Sequence, residues 1–217
     1  MDQICRRWKF TISGVGMVKR SASSTNGLMN ESWRVFCAVD LPADVRANLM
    51  DHIKHLRQVL PDAEASWSRG ENIHLTIKFL GQVSVTRVAN LLNAAVRTAA
   101  SCTPFSISLE ETGVFPNHGK PRVLWIGVKD ESGKLAELQS RFEIECAKEG
   151  FPVEARSFSP HLTIARLRKP QFARVLARAH EGMTFKRTAV KVEQFAMIRS
   201  EPGSSGSKYT VISTHRL

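Results

Sequence analysis

Four residues, His-Leu-Thr-Ile, occur twice in this chain, as His74-Leu75-Thr76-Ile77 and as His161-Leu162-Thr163-Ile164, 87 positions apart. On a β-strand residues i and i+2 share a face, so each copy sets a histidine beside a threonine and turns Leu and Ile the other way. Each copy therefore has a chemical face and a core face. One His-x-Thr triplet is weak evidence in a chain of this composition, but a second copy with the same Leu and Ile is far from chance. The two copies are read as one site with two contributors.

Neutral imidazole accepts a proton and imidazolium donates one, and an unperturbed pKa of about 6.5 keeps both forms accessible at working pH. Two histidines across a cleft can thus act as base and acid in a single displacement. The threonine hydroxyls donate hydrogen bonds where negative charge grows, which suits the non-bridging oxygens of a phosphate ester whose attacking and leaving oxygens lie in line toward the histidines. Zinc would want a third ligand, and neither motif strand carries a carboxylate or a cysteine. A Gly-rich phosphate loop and a Gly-x-Ser-x-Gly elbow are both absent. His52 and His55, three apart in a predicted helix, have Lys54 and Arg57 beside them and are assigned to a solvated face rather than to a metal.

The elements that position the motifs follow from periodicity and turn signals. A β-rich run, Trp33 to Val39, is stopped by Asp40-Leu41-Pro42, and a helix is expected from there to about Leu60. After a turn at Gly70-Glu71-Asn72 comes the first motif strand, Ile73 to Leu80, ended by Gly81, and then a helix over 84–100. Phe105 to Leu109 alternates as a strand and 113–117 reads as a loop; Arg122 to Val128 is a strand and Ser132 to Lys148 a helix ended by Gly150. The second motif strand, Pro160 to Leu167, precedes a helix near Gln171 to His180 and two closing strands, Ala189 to Arg199 and Lys208 to Thr214. The expected class is α+β: two pseudo-symmetric lobes, each an antiparallel sheet with helices outside, around a central cleft to which each lobe offers one His-x-Thr strand.

With 217 residues, 42% hydrophobic and 24% charged, the chain has the composition of a globular protein, and its net charge of +11 favours an anionic partner such as nucleic acid. Residues 1–31 are rich in Ser, Thr, Gly and basic residues and are expected to form a flexible extension before a domain spanning 32–217. No apolar run reaches the roughly 18 residues of a membrane span, and the N-terminus lacks a secretory core. Cys5, Cys37, Cys102 and Cys146 show no Cys-x-x-Cys spacing, and Cys37 and Cys146 fall in patterns of buried strand and helix, so a reducing cytoplasm is expected.

Beyond the residues themselves, the duplicated motif resembles the two-histidine phosphoesterase superfamily. Its flanks narrow the resemblance to the RNA 2′,3′-cyclic phosphodiesterases, also called the 2′-5′ RNA ligase family. The similarity runs from about Trp33 to the C-terminus: Arg34 to Pro42, Asn72 to Gly81, Phe115-Pro116 with Pro121 to Val128, Phe158 to Arg166, and Ser207-Lys208-Tyr209. The resemblance implies RNA or a nucleotide ending in a 2′,3′-cyclic phosphate as substrate, opened by water to a 2′-phosphate without a metal or other cofactor. It makes His74 and His161 catalytic, with His161 activating water and His74 protonating the departing 3′-oxygen, and makes Thr76 and Thr163 phosphate-binding.

Arg166, near Arg168 and Lys169, is a candidate for added charge at the phosphate, and Trp67 and Phe115 for stacking a base. Lys120, Arg122, Lys186, Arg187 and Arg199 are candidates for attraction of an RNA backbone. A monomer is expected. The competing readings are 2′-5′ ligation or 2′-5′ phosphodiester cleavage in the same site, and a non-catalytic RNA-binding module, which would need neither acid nor base.

Overall fold

The structure, a computed structural model, describes residues 31–168, 170–204 and 206–217. In chain order the elements are β1 (Ser32–Val39), α1 (Ala43–Val59), β2 (Ala65–Trp67), β3 (Leu75–Ser84), α2 (Val88–Ala100), β4 (Phe105–Phe115) and β5 (Val123–Lys129). They continue with α3 (Lys134–Lys148), β6 (His161–Leu167), α4 (Pro170–Glu181), β7 (Thr188–Val192), β8 (Gln194–Glu201) and β9 (Lys208–Arg216). The strands form two antiparallel sheets, β3-β1-β8-β9 and β2-β6-β5-β4-β7. The α+β class, the two sheets and one motif strand per sheet are as expected; the expectation for residues 1–31 falls, apart from Glu31, outside the described residues.

The sheets are not the two halves of the chain. The hairpin β8–β9, the last part of the sequence, completes the sheet that holds the first motif, and β2, from the first half, edges the sheet that holds the second. The helices cross over as well: α2 and α3 pack together behind the first sheet, while α4 covers β4 and meets α1 on the second. The continuous run expected at Ala189 to Arg199 is two strands, β7 and β8, in different sheets. Alternation breaks at Glu193-Gln194, two exposed polar residues in succession, but that break does not say which sheet each strand joins.

Three further boundaries moved. β3 runs past Gly81, which takes φ 70° at an irregularity where Val35 faces Gly81 and Phe36 faces Phe79. β4 extends to Phe115 through a bulge at Glu111, whose φ is 64°. The short edge strand β2 was not anticipated. Each is a pairing supplied by a partner strand rather than by local propensity.

The core residues of the motifs are where the period-2 pattern puts them: Leu75, Ile77, Leu162 and Ile164 are all buried in one continuous cluster with the helices. Fully burying such a side chain contributes about 1.5–3 kcal/mol. His52 does not sit on a solvated face. It is buried beside His180 of α4, with Nε2 3.2 Å from Nδ1 of that ring, and Nε2 of His180 lies 3.0 Å from the carbonyl of Trp125. Since a carbonyl only accepts, His180 donates from Nε2 and receives the proton of His52 at Nδ1. Helical spacing puts His52 and His55 on one face, read as solvated; α4 covers His52, and His55 stays exposed.

Burial lowers the His52 pKa to about 4, with the neighbouring His180 and His55 adding to the effect, and burial lowers that of His180 too. Folding therefore favours neutral rings, whose contribution is whole above the unfolded value of about 6.5 and is lost as the pH falls through about 4. The urea midpoint should drop between those pH values, and His52→Leu should flatten part of the drop. A midpoint flat over that window would contradict the burial of neutral imidazoles.

Candidate active site

A cleft of about 750 Å³ lies between the sheets, and His74, Thr76, His161, Thr163, Arg166 and Trp67 all line it. Such a volume suits a nucleotide-sized ligand. No Asp or Glu is among the described residues lining it, whereas Arg34, Arg69, Arg166 and Arg168 are.

Each motif strand carries the same defect. On β3 the pairing passes from Cys37–Lys78 to Ala38–Thr76, and on β6 from Leu124–Ala165 to Trp125–Thr163, so Ile77 and Ile164 are each an extra residue. The burial strings agree: after each threonine come two buried residues, Ile77-Lys78 and Ile164-Ala165, and then an exposed one, Phe79 or Arg166. In a plain strand a residue three beyond Thr163 would face the core. The bulge is what returns Arg166 to the cleft.

On β3 the same bulge drives Lys78 inward. Its ammonium is buried, donating to Glu143 of α3 at 2.6 Å and to the carbonyl of Pro152 at 2.9 Å. The Glu143 carboxylate also accepts from the Glu154 backbone N–H and from the Gln139 side chain. Removing one partner of such a buried pair typically costs about 3–5 kcal/mol. This pair clamps α3 against the back of the first motif strand.

The histidines are held alike. Nδ1 of His161 is 2.8 Å from the carbonyl of Ser159, two residues earlier, and His74 makes a backbone hydrogen bond with Asn72, also two residues earlier. The His161 ring therefore has a fixed tautomer, with Nδ1 donating and Nε2 free to exchange a proton. Asn72 is itself tied to the β8–β9 loop by its side-chain amide, 3.0 Å from the carbonyl of Ser207, and Ser68 donates to the carbonyl of Thr163 at 2.8 Å.

Aromatic walls flank both rings. Phe36 stacks on His74 with centroids 4.6 Å apart, and Tyr209 meets it edge-on at 5.3 Å. Phe115 meets His161 edge-on at 5.0 Å and is backed by Trp125 at 5.2 Å. Phe115 thus walls the histidine rather than lining the cleft, while Trp67 does line it. Burial depresses the His74 pKa to about 4; the Asn72 hydrogen bond and nearby Asp40 push it up, and Arg46, ion-paired to Asp40, pushes it down.

Of the basic residues proposed for RNA attraction, Arg187 is paired with Glu110 and Glu131, and Arg199 is paired with Glu201 and lies over the Trp33 ring. Lys120, Arg122 and Lys186 do not line the cleft. Sequence reasoning did not pick out Arg34, Phe36, Arg168, Tyr209 or Trp125 as site residues. For Arg34 and Phe36 a signal existed, since they share a parity on β1.

The family model for LigT like Phosphoesterase matches the chain twice in tandem, over residues 39–125 and 126–209, one motif copy in each. The chain belongs to that phosphoesterase family. Among the relatives most similar in sequence is the RNA 2′,3′-cyclic phosphodiesterase of Methanothermobacter thermautotrophicus, 33% identical over 187 residues that cover 85% of this chain and 98% of that protein. The enzyme of the same description from Thermus thermophilus is 33% identical over 186 residues, covering 82% and 87%. Among solved structures, Escherichia coli LigT in complex with 3′-AMP superposes with a TM-score of 0.66 at 26% identity, over 86% of this chain and 99% of that one. A Thermus thermophilus protein gives 0.69 at 28% identity, over 85% and 97%.

Gly113 supports this wall: a Cβ there would lie 2.1 Å from the Trp125 ring, which sits opposite Thr163. Gly113→Ala should therefore push the indole against the motif strand, costing about 1–3 kcal/mol as overpacked sites do. Chemical denaturation measures the loss, and turnover should fall with it. Wild-type stability in this variant would show that Trp125 is not wedged.

Proposed function

We propose that this protein hydrolyses RNA 2′,3′-cyclic phosphate ends to 2′-phosphomonoesters by metal-independent acid–base catalysis. The observation that carries the reading is the convergence of two His-x-Thr strands, each with the same bulge, on one arginine-lined cleft whose described lining residues include no carboxylate. The named activity of the relatives supports it. In this reading the cyclic phosphate sits between the Thr76 and Thr163 hydroxyls, which offset charge on the non-bridging oxygens as the pentacoordinate transition state forms. Arg166 adds positive charge, Trp67 bounds the space for the base, and Phe115 walls the His161 ring.

His161 takes a proton from water at Nε2, the water oxygen bonds to phosphorus, the P–O3′ bond breaks, and His74 gives its proton to O3′. The acid must carry that proton, yet burial favours neutral His74 in the free protein. A bound phosphate anion against the ring opposes that desolvation, so charging of His74 accompanies substrate binding. Water at its bulk concentration competes strongly with a 5′-hydroxyl for the same in-line position, which favours hydrolysis over 2′-5′ ligation. We place the enzyme as a monomer in the cytoplasm, where the free thiols of buried Cys37 and Cys146 persist. Among the described residues no helix is long and apolar enough to cross a membrane.

An oligonucleotide with a 2′,3′-cyclic end should give a 2′-phosphate product in excess chelator, with His74→Ala and His161→Ala each slower by roughly 10²–10⁴-fold and Thr76→Ala or Thr163→Ala less affected. Near-wild-type turnover by either folded histidine variant would end the acid–base reading. For the roles, sulfur at the 3′-bridging position makes a leaving group that needs no proton. It should rescue His74→Ala and leave His161→Ala slow; the opposite pattern would exchange the assignments.

We further propose that residues 32–217 form the complete catalytic domain. Removing residues 1–28 should leave melting temperature and turnover unaltered, and a loss of either would assign the extension a structural or binding part.

A further inference from the structure

We propose that Asp40 is a positioning residue for the acid–base chemistry: its carboxylate, set beside the His74 ring and held there by Arg46, favours the charged ring that gives up a proton, and Arg46 limits the effect. The inference rests on the reading that His74 protonates the leaving oxygen, and it adds what charges His74 from the side away from the substrate.

The strand register brings Asp40 to the ring. β1 and β3 are antiparallel with Ala38 opposite Thr76 and Val39 opposite Leu75, so the next step of the ladder sets Asp40 opposite His74. Residues so opposed share a face, with Cβ atoms about 4.5–5.5 Å apart. A cavity of about 210 Å³ has Asp40, Arg46 and His74 together in its wall. Among the described lining residues it shares only His74 and Tyr209 with the cleft, so those two rings stand between the two spaces. Arg46, in the first turn of α1, donates from Nη2 to Asp40, while its buried Nε has no partner among the described residues.

The charges around His74 are unevenly divided. The titratable and charged groups on the cleft side are His161, Arg34, Arg69, Arg166 and Arg168, each cationic or able to become so. Phe36 stacks on the ring and Tyr209 meets it edge-on. Until a phosphate enters, the cleft side therefore works against an imidazolium, and the carboxylates lie on the cavity side. Of those two, Glu71 is 4.0 Å from the guanidinium of Arg69, and Asp40 is the one opposite His74 in register. Burial pulls the ring toward neutral; the Asn72 hydrogen bond and Asp40 push back, and Arg46 subtracts from what Asp40 supplies. The Asp40 side chain is 61% exposed, so its ion pair adds little to stability and variants of it should fold.

NMR titration of the His74 ring in the full chain, its signal assigned by its loss in His74→Gln, reads the effect directly. Asp40→Asn should lower the pKa of the ring and Arg46→Gln should raise it, each by roughly half a pH unit to one, as a single partly screened charge allows. On an oligonucleotide with a 2′,3′-cyclic end, Asp40→Asn should be slower by roughly 3- to 10-fold, the same change read through an acid that is mostly neutral. Sulfur at the 3′-bridging position, which needs no proton, should erase that deficit. Shifts of one sign in both variants, or no shift in either, would overturn the proposal while leaving the hydrolase reading intact. An equal deficit on both substrates would overturn it too, making Asp40 a structural residue. No turnover of either substrate by the unaltered chain would count against the hydrolase reading itself, and the direction of the two shifts would still decide whether the pair sets the charge of the ring.

Discussion

The structure depends on a one-residue insertion made twice. A strand has a side-chain period of two, so a histidine and a threonine two apart can share a face, but no third functional side chain at odd spacing can join them. The extra residue after each threonine, Ile77 in β3 and Ile164 in β6, resets that period. It sends two consecutive side chains to the core and returns the next to the cleft. Everything placed beyond the threonines, Phe79 on one side and Arg166 and Arg168 on the other, faces the ligand space because of it.

The two bulges are satisfied differently, and the difference organises the lobes. On β6 the second inward residue is Ala165, which simply packs. On β3 it is Lys78, and a buried ammonium without a partner would be prohibitive. Glu143, the Pro152 carbonyl and the hydrogen bonds that surround the carboxylate complete its coordination and fix α3 behind the first motif. The Glu143 carboxylate is thereby held on the core side of the sheet, while the described residues lining the cleft include guanidiniums and histidines and no carboxylate. Positive potential in a cleft with low-dielectric walls both attracts an anionic substrate and strengthens the hydrogen bonds made to it.

Tandem matches of the family model to 39–125 and 126–209 describe a duplicated chain, yet the lobes exchange strands and helices across the duplication. The C-terminal hairpin brings Tyr209 against His74, and β2 brings Ser68 against the second motif strand. Neither half can then complete its own side of the cleft. That both histidines line one cleft is a property of the whole fold, and the proposed in-line displacement needs groups on both sides of phosphorus.

Much of the site was legible because its elements are local. His74 and Thr76, and His161 and Thr163, share faces through a spacing any strand imposes, and Leu75, Ile77, Leu162 and Ile164 are buried for the same reason. The α+β class and the positions of the main helices and strands followed from periodicity and from Gly and Pro at their ends. Other features had no local signature. The division of 188–201 into strands of two sheets, the edge pairing of β2 and the lengthening of β3 and β4 come from partner strands distant in sequence. His52 looked solvated until α4 covered it with His180, since helical spacing says which residues share a face and not what lies against that face. The inward turn of Lys78 and the cleft-facing turn of Arg166 depend on bulges, and a bulge is defined by the strand opposite: only when Cys37 and Leu124 take their places in the ladders is there one residue too many on the other side.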